Sequence, residues 1–323
     1  MFILFDKGGG VIKRIDSICA LTLSGECKGR FSSVQYDQGN INLIFAVPHN
    51  GYLKPVEIDD RRNGCKRNGE CRYGKAKCGE SRSRHCKIGY VADAHTQGLA
   101  RLTQEEFFKL TGKKIKPHLV ISNLYRAKMD PNRPREEAAQ GNSRAEGAFD
   151  EYHNQIKEAK NTFGAKPGLL IDFHGHQHER EITEIGYRVT KDELIGKRFN
   201  SPQLTIKSLI KRKNAKIEDF LFGPESLGAL FNSAGYEAVP SPDDEAPREE
   251  DKYFRGGYSI LTHGSNGSGN VDGIQLEFPA KLRKKSKRRK LAKDLAKMLT
   301  KFYLENYEEN LKYELDLGVS IDL

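Results

Sequence analysis

Three apolar runs in this chain each carry side chains that bind metals or move protons, and this pattern constrains the fold more than any other feature. Residues 41–47 lead into Pro48-His49-Asn50-Gly51. Leu169-Leu170-Ile171 leads into Asp172-Phe173-His174-Gly175-His176. Ile274-Gln275-Leu276-Glu277-Phe278 holds a carboxylate inside the run. Short apolar runs of this kind read as buried strands. A buried strand ending in polar groups is how a layered α/β enzyme presents reactive side chains at a sheet edge. Strand alternation puts Asp172, His174 and His176 on one face. Imidazoles to hold Zn²⁺ and a carboxylate to take a proton from water are the parts of a hydrolytic metal site.

Around these runs the pattern alternates. Residues 117–124 form another short strand after an amphipathic stretch at 103–110. Ala145, Ala148, Phe149, Tyr152 and Ile156 make one face of a helix over 143–160, and Leu291, Leu295, Met298, Leu299 and Phe302 make one face of the last helix. Residues 184–189 and Tyr258-Ser259-Ile260-Leu261 read as strands, and residues 222–230 as a helix that starts at Gly223-Pro224. Residues 1–40 read as irregular or short-strand material. Strands alternating with helices predict an α/β layered fold with a mixed, mostly parallel sheet. The chain is read as a single catalytic domain over 1–323, interrupted by a Cys-rich insertion at 59–90.

The net charge of +10 does not describe the whole chain. Basic residues concentrate in 61–87 and 281–290, and the remainder is net acidic. A uniformly basic face for nucleic acid is therefore not expected. The run at 281–290 is expected to be the solvated start of the last helix. No apolar run approaches the length of a membrane span. Cys65, Cys71, Cys78 and Cys86 sit in a stretch almost without aliphatic residues, at spacings unlike a zinc ribbon. Disulfides, and hence an extracellular protein, are the expectation, with metal-bound or free thiols in a cytoplasmic protein as the alternative. The opening apolar stretch, Met1 to Phe5, is shorter than a signal peptide requires.

Several further segments carry candidate groups. Arg126, Asn132 and Arg133 lie in Tyr125-Arg126-Ala127-Lys128-Met129-Asp130-Pro131-Asn132-Arg133-Pro134, where guanidinium and carboxamide donors suit a substrate carboxylate. Arg255 precedes Gly256-Gly257, and His263 precedes Gly264. Glu277 lies among apolar neighbours, and burial would raise its pKa towards that of a useful general base.

Taken in order, these segments resemble the N-formylglutamate amidohydrolase family. The match is carried by Val47-Pro48-His49-Asn50-Gly51, Asp93 in Val91-Ala92-Asp93-Ala94-His95-Thr96, and Arg126 with Asp130-Pro131-Asn132-Arg133-Pro134. It continues through Asp172-Phe173-His174-Gly175-His176, Gly256 to His263, and Ile274 to Phe278. The likeness spans about residues 41–305. That family is related in fold to zinc carboxypeptidases. The resemblance implies a three-layer αβα fold of the phosphorylase/hydrolase type and a zinc-bound water attacking an amide carbonyl. It implies His49 and His174 as zinc ligands, and Asp93, with Glu57 as the alternative, as the third. The carboxypeptidase pattern has Glu three residues after its first His, where this chain has Tyr52. Glu277 resembles the general base that takes the water proton and later gives it to the leaving nitrogen. Asn132 and Arg133 resemble the carboxylate-binding pair, with Arg126 beside them, and Arg255 or His263 is expected at the oxyanion. The implied substrate is an N-formyl- or N-acyl-amino acid, or a short peptide, with a free carboxylate. A carboxypeptidase-like peptidase and a catalytically silent binding protein of the same fold are the alternatives.

Overall fold

The structure, a computed structural model, describes residues 32–61, 88–267 and 269–308, together with the backbone of four short strand segments. Two of these, β1 (Ile18–Leu21) and β2 (Cys27–Phe31), pair antiparallel. The main chain then gives β3 (Val34–Asp37) and β4 (Leu43–Val47). The other two, β5 (Cys65–Arg67) and β6 (Glu70–Arg72), also pair antiparallel. The side chains of all six cysteines lie outside the described residues, and so does the expected disulfide framework.

From there the chain runs α1 (Thr96–Leu110), β7 (His118–Ser122), α2 (Arg135–Ala139), α3 (Ser143–Asn161) and β8 (Gly168–His176). It continues with β9 (Thr183–Gly186), α4 (Lys191–Gly196), α5 (Lys207–Lys213), α6 (Ile217–Leu221) and α7 (Leu227–Ser233). It closes with β10 (Ala238–Val239), α8 (Tyr258–His263), β11 (Val271–Pro279), α9 (Ala280–Arg283) and α10 (Lys285–Asn306).

The expected three layers and mixed sheet are present. Seven strands lie in the order β10-β9-β11-β8-β4-β7-β3. The central β11, β8, β4 and β7 are mutually parallel, and antiparallel pairings join β9 and β3 to them. Period-two alternation divides the sheet's side chains between two cores. Leu169, Ile171 and Phe173 face α1 and α10 with Leu99, Phe107, Leu295 and Phe302. Leu170 and Ile44 face α3 and α8 with Tyr152, Ile156 and Ile260. Local chemistry sets the helix starts. Asn142 caps α3 by accepting the Arg144 and Ala145 N–H groups, and Thr190 with Glu193 forms a capping box on α4.

Two sequence expectations change. Residues 258–261 form the start of α8, not a strand, and Ile260 packs into the second core. An apolar run this short carries no period that separates helix from strand. The helix expected over 222–230 is broken: α6 ends at Leu221 and α7 starts after Ser226, whose hydroxyl accepts the Ala229 N–H. Among the described residues no helix is long and apolar enough to cross a membrane.

The connections out of β4 and β8 place the site. The chain leaves β4 through α1 to reach β7 on one side, then returns through α3 to β8 on β4's other side. Strand order reverses between β4 and β8, and ligands of open α/β sheets bind beyond the strand ends at such a point.

Candidate active site

His49 follows β4 and His174 ends the Asp172-Phe173-His174 stretch of β8, so both rings stand at that reversal. Asp93 arrives from the segment before α1. Its N–H donates to the His49 carbonyl at 3.0 Å, and Thr96 Oγ1 donates to the Asp93 carbonyl at 2.8 Å. Asp93 Oδ2 then lies 3.2 Å from His49 Nδ1 and 3.0 Å from His174 Nδ1. The ligand-capable atoms of these three residues lie within 4.8 Å of one another. Glu57, the alternative third ligand, is outside this group; its carboxylate lies 3.8 Å from Arg144.

The far nitrogen of each ring is held by a second carboxylate. His49 donates Nε2–H to Asp130 Oδ1 at 2.7 Å, and His174 donates Nε2–H to Asp172 Oδ2 at 2.9 Å. Donation through Nε2 leaves each Nδ1 as the lone-pair nitrogen. Two lone pairs and a carboxylate oxygen then converge, an arrangement stable only with a proton or a cation between them. A carboxylate behind each imidazole is the usual support of a metal-bound histidine. The donor set of two imidazoles and one carboxylate fits Zn²⁺ with an open coordination position.

The electrostatics agree. Burial pulls the His174 imidazole down, but the charge and hydrogen bond of Asp172, with Asp93 and Glu277, hold it well above its ordinary value. Burial pushes the Asp93 carboxyl up, yet His49 and His174 hold it below the usual carboxylate range. Asp130 is also held far down against burial, by Arg126, His49 and Arg61.

Glu277 stands beside this group. Register pairs it with His174 on β8 and Glu184 on β9. Its Oε1 accepts the Gln275 Nε2–H at 2.9 Å and lies 3.9 Å from His174 Nδ1. Its Oε2 is buried with no hydrogen-bond partner among the described residues. Burial, joined by the charges of Asp93 and Glu184, pushes this carboxyl up to about 8, against the pull of His174 and Arg126. A carboxylate with a neutral-range pKa and one uncommitted oxygen can take a proton from a water held there.

A cavity of about 680 Å³ opens over these groups, lined also by Arg133, Arg255, His178 and Tyr258. Arg133 and Arg255 both reach it. Arg133 is steadied by Glu137 at 3.2 Å. Arg126 lines the cavity as well, but Asp130 at 2.9 Å and Asp93 at 3.6 Å occupy its guanidinium. Asn132 lies deeper. Its Oδ1 accepts the Ser259 N–H at 2.8 Å and its Nδ2 sits 3.3 Å from His174 Nε2.

His263, expected at the oxyanion, does not line the cavity. It is buried on the α3 side, with Nε2 at 2.8 Å from His153 Nδ1. His153 in turn donates Nε2–H to the Pro131 carbonyl at 3.0 Å. Burial pulls both rings below the ordinary histidine value; Lys157 adds to this for each, whereas the Pro131 carbonyl, Asp172 and Asp150 oppose it at His153. Their place is behind the Asp130-Pro131-Asn132 loop, as a brace.

Sequence reasoning misses two supports. Its neighbours put Asp130 on the substrate side, whereas it orients His49. Arg283 belongs by sequence to a solvated basic run, but it is 3% exposed. It donates to the Phe278 and His176 carbonyls at 3.0 and 3.1 Å, and to Ala94 O, so it joins β11, β8 and the Asp93 segment. A Cβ at Gly175 would meet that guanidinium, so a larger residue there would push Arg283 off these carbonyls.

No protein-family model matches this chain. No curated protein matches it either. An N-formylglutamate amidohydrolase is among the solved structures it resembles. That protein, from Ralstonia eutropha JMP134, is 11% identical; the match covers 88% of this chain and 100% of that one, with a TM-score of 0.46. A gene product of Agrobacterium tumefaciens matches at 13% identity over 84% of this chain and 94% of that one, with a TM-score of 0.46. The N-acetylmuramyl-L-alanine amidase Ami1 of Mycobacterium smegmatis matches at 10% identity over 80% and 95%, with a TM-score of 0.35. Likenesses of this strength assign no residue a role, and the roles below rest on the geometry of this chain.

Proposed function

We propose that this protein is a zinc-dependent amidohydrolase that cleaves the amide bond of an N-formyl- or N-acyl-amino acid with a free carboxylate. One observation carries the reading. Two Nδ1 atoms and a carboxylate oxygen converge beside the uncommitted Oε2 of Glu277, with a second carboxylate behind each imidazole. His49, Asp93 and His174 would hold the metal. When bound, Zn²⁺ supplies Lewis acidity to the scissile carbonyl and lowers the pKa of water at the site.

The chain's own residues do the rest. Glu277 accepts the water proton as the water oxygen attacks the carbonyl carbon. Asp130 and Asp172 keep both ligand rings in the Nδ1 lone-pair form. Arg133 holds the substrate carboxylate from the cavity wall, and Arg255 faces the developing negative charge. Asn132 keeps the start of α8 in place by accepting the Ser259 N–H through its Oδ1.

The test is metal analysis of the purified protein together with hydrolysis of N-formyl-glutamate, other N-acyl amino acids and short peptides. One equivalent of zinc and release of formate or another small acid is the expected result. Protein that binds no divalent metal at this site refutes the reading. A cavity of about 680 Å³ lies in the range that encloses a drug-sized ligand, which favours a peptidase acting at a free C-terminus as the second reading. Release of an amino acid from a peptide, without formate, would select it.

A further inference from the structure

A second cluster of metal-capable groups, His176, His178 and Glu184, lies near Glu277, whose strand runs between His174 on β8 and Glu184 on β9. His176 and His178 come from the end of β8 and the turn after it, and Glu184 from β9. Their ligand-capable atoms are close enough to hold a cation, yet they are committed to one another. His178 donates Nδ1–H to Glu184 Oε1 at 2.6 Å. His176 donates Nε2–H to the Ile182 carbonyl at 2.8 Å, and its Nδ1 accepts the His178 backbone N–H at 3.1 Å. Glu184 Oε2 accepts the Phe254 N–H at 2.7 Å. This is the bonding of an oriented histidine: a buried carboxylate fixes one ring nitrogen and leaves the other to act.

Position strengthens the case. The His178 ring is clamped between His176 and Phe254, with ring centroids at 4.7 and 4.5 Å. It lines the same cavity as His49, His174 and Glu277. Among the described residues its hydrogen bonds run through the backbone N–H and Nδ1, not Nε2. Glu184 and Glu277 are register partners on neighbouring strands, so the carboxylate that holds His178 stands on the strand next to the general base. A substrate whose carbonyl lies at the proposed metal ligands and Glu277 would occupy the same cavity as this ring.

We propose that His178, oriented by Glu184 and carrying a proton on each ring nitrogen at this stage, is a further catalytic residue that delivers the Nε2 proton to the leaving nitrogen and keeps Nδ1–H on Glu184. This rests on the amidohydrolase reading above. The step balances. Water oxygen bonds to the carbonyl carbon and its proton goes to Glu277. The C–N bond breaks, its electron pair stays on nitrogen, and that nitrogen takes the His178 Nε2 proton. Glu277 then loses its proton to solvent, and solvent returns one to His178.

Leaving-group dependence tests it. An alkyl amide needs its nitrogen protonated to depart, whereas a p-nitroanilide departs with far less help. His178→Ala is expected to lower kcat on the alkyl amide by about 10²–10⁴-fold, the usual contribution of a general acid. The loss on the matching p-nitroanilide should be much smaller, and added imidazole should restore part of the alkyl-amide rate. Glu184→Gln should show the same selectivity with a smaller loss, because the ring remains. An equal loss on both substrates, without rescue by imidazole, in both His178→Ala and His178→Gln, overturns the proposal. So does a second equivalent of zinc in the wild type that His178→Ala removes, which would make the trio a metal site. A wild type that hydrolyses neither amide sinks the amidohydrolase reading and the dyad with it; an active wild type with unselective variants sinks the dyad alone.

Discussion

Replacing Asp172 with Asn isolates the carboxylate behind His174 without changing side-chain shape. Asp172 is fully buried, with Oδ2 at 2.9 Å from His174 Nε2. In the Asp172→Asn variant the amide can turn a donor towards that nitrogen. The ring then carries its proton on Nδ1, and the lone pair that faces Asp93 is lost. Loss of such a support typically weakens metal binding about 10–100-fold, or roughly 1.4–2.7 kcal/mol. The metal-free protein should respond in a pH-dependent way. The folded-state pKa of His174 is raised, with Asp172 the largest upward influence. A raised imidazole contributes stability that is fully present below its unfolded value, about 6.5, and is lost as pH rises through the folded value. The Asn variant should therefore lose most stability in acid and progressively less in alkali. Zinc affinity is read by competition with a chromophoric chelator, and stability by denaturant melts of chelator-treated protein across pH. Unchanged zinc affinity in a folded variant would refute the assignment of Asp172 as the ring's orienter. A stability loss that grows with pH would refute the protonation argument.

Glu277→Gln should keep zinc bound and lower kcat by about 10²–10⁴-fold with little change in KM; a wild-type kcat removes Glu277 from catalysis. In metal-free protein the Glu277 carboxyl should titrate near 8, and zinc should lower that value because a nearby cation favours the carboxylate; NMR of carboxyl-labelled glutamate reads both. Arg133→Ala should weaken binding of a substrate with a free carboxylate far more than its amide, and equal effects on the two would take Arg133 out of the carboxylate pocket.

Much of this site is legible without the fold, because its key groups obey the two-residue period of a strand. Asp172 and His174 share a face for that reason, and Glu277 lies among apolar neighbours that mark β11. What is not legible depends on register and on contacts distant in sequence. Glu184 meets Glu277 only through the antiparallel β9–β11 pairing, and His178 gains its role only from Glu184. Asp130 looks like any loop acid before a proline until His49 Nε2 is seen 2.7 Å away. His263 draws attention as a histidine before glycine, but α8 turns it into the protein towards His153. The last helix is legible from its apolar stripe, whereas Arg283 is masked by the exposed basic residues that follow it.

His49 and Asp93 are 44 positions apart in the chain, yet one backbone hydrogen bond of 3.0 Å ties their loops together. The entropy of closing a flexible loop grows only with the logarithm of its length, about 0.6 kcal/mol for each doubling. By that rule, halving or doubling the part between the buried Arg61 and Ile88 shifts the equilibrium by less than half of the roughly 1.4 kcal/mol that a tenfold change in affinity represents. Insertions and deletions there can accumulate while both ligands keep their positions. Lineages carrying such a site could diversify what surrounds the metal by slippage in this one segment, and leave the reaction itself untouched.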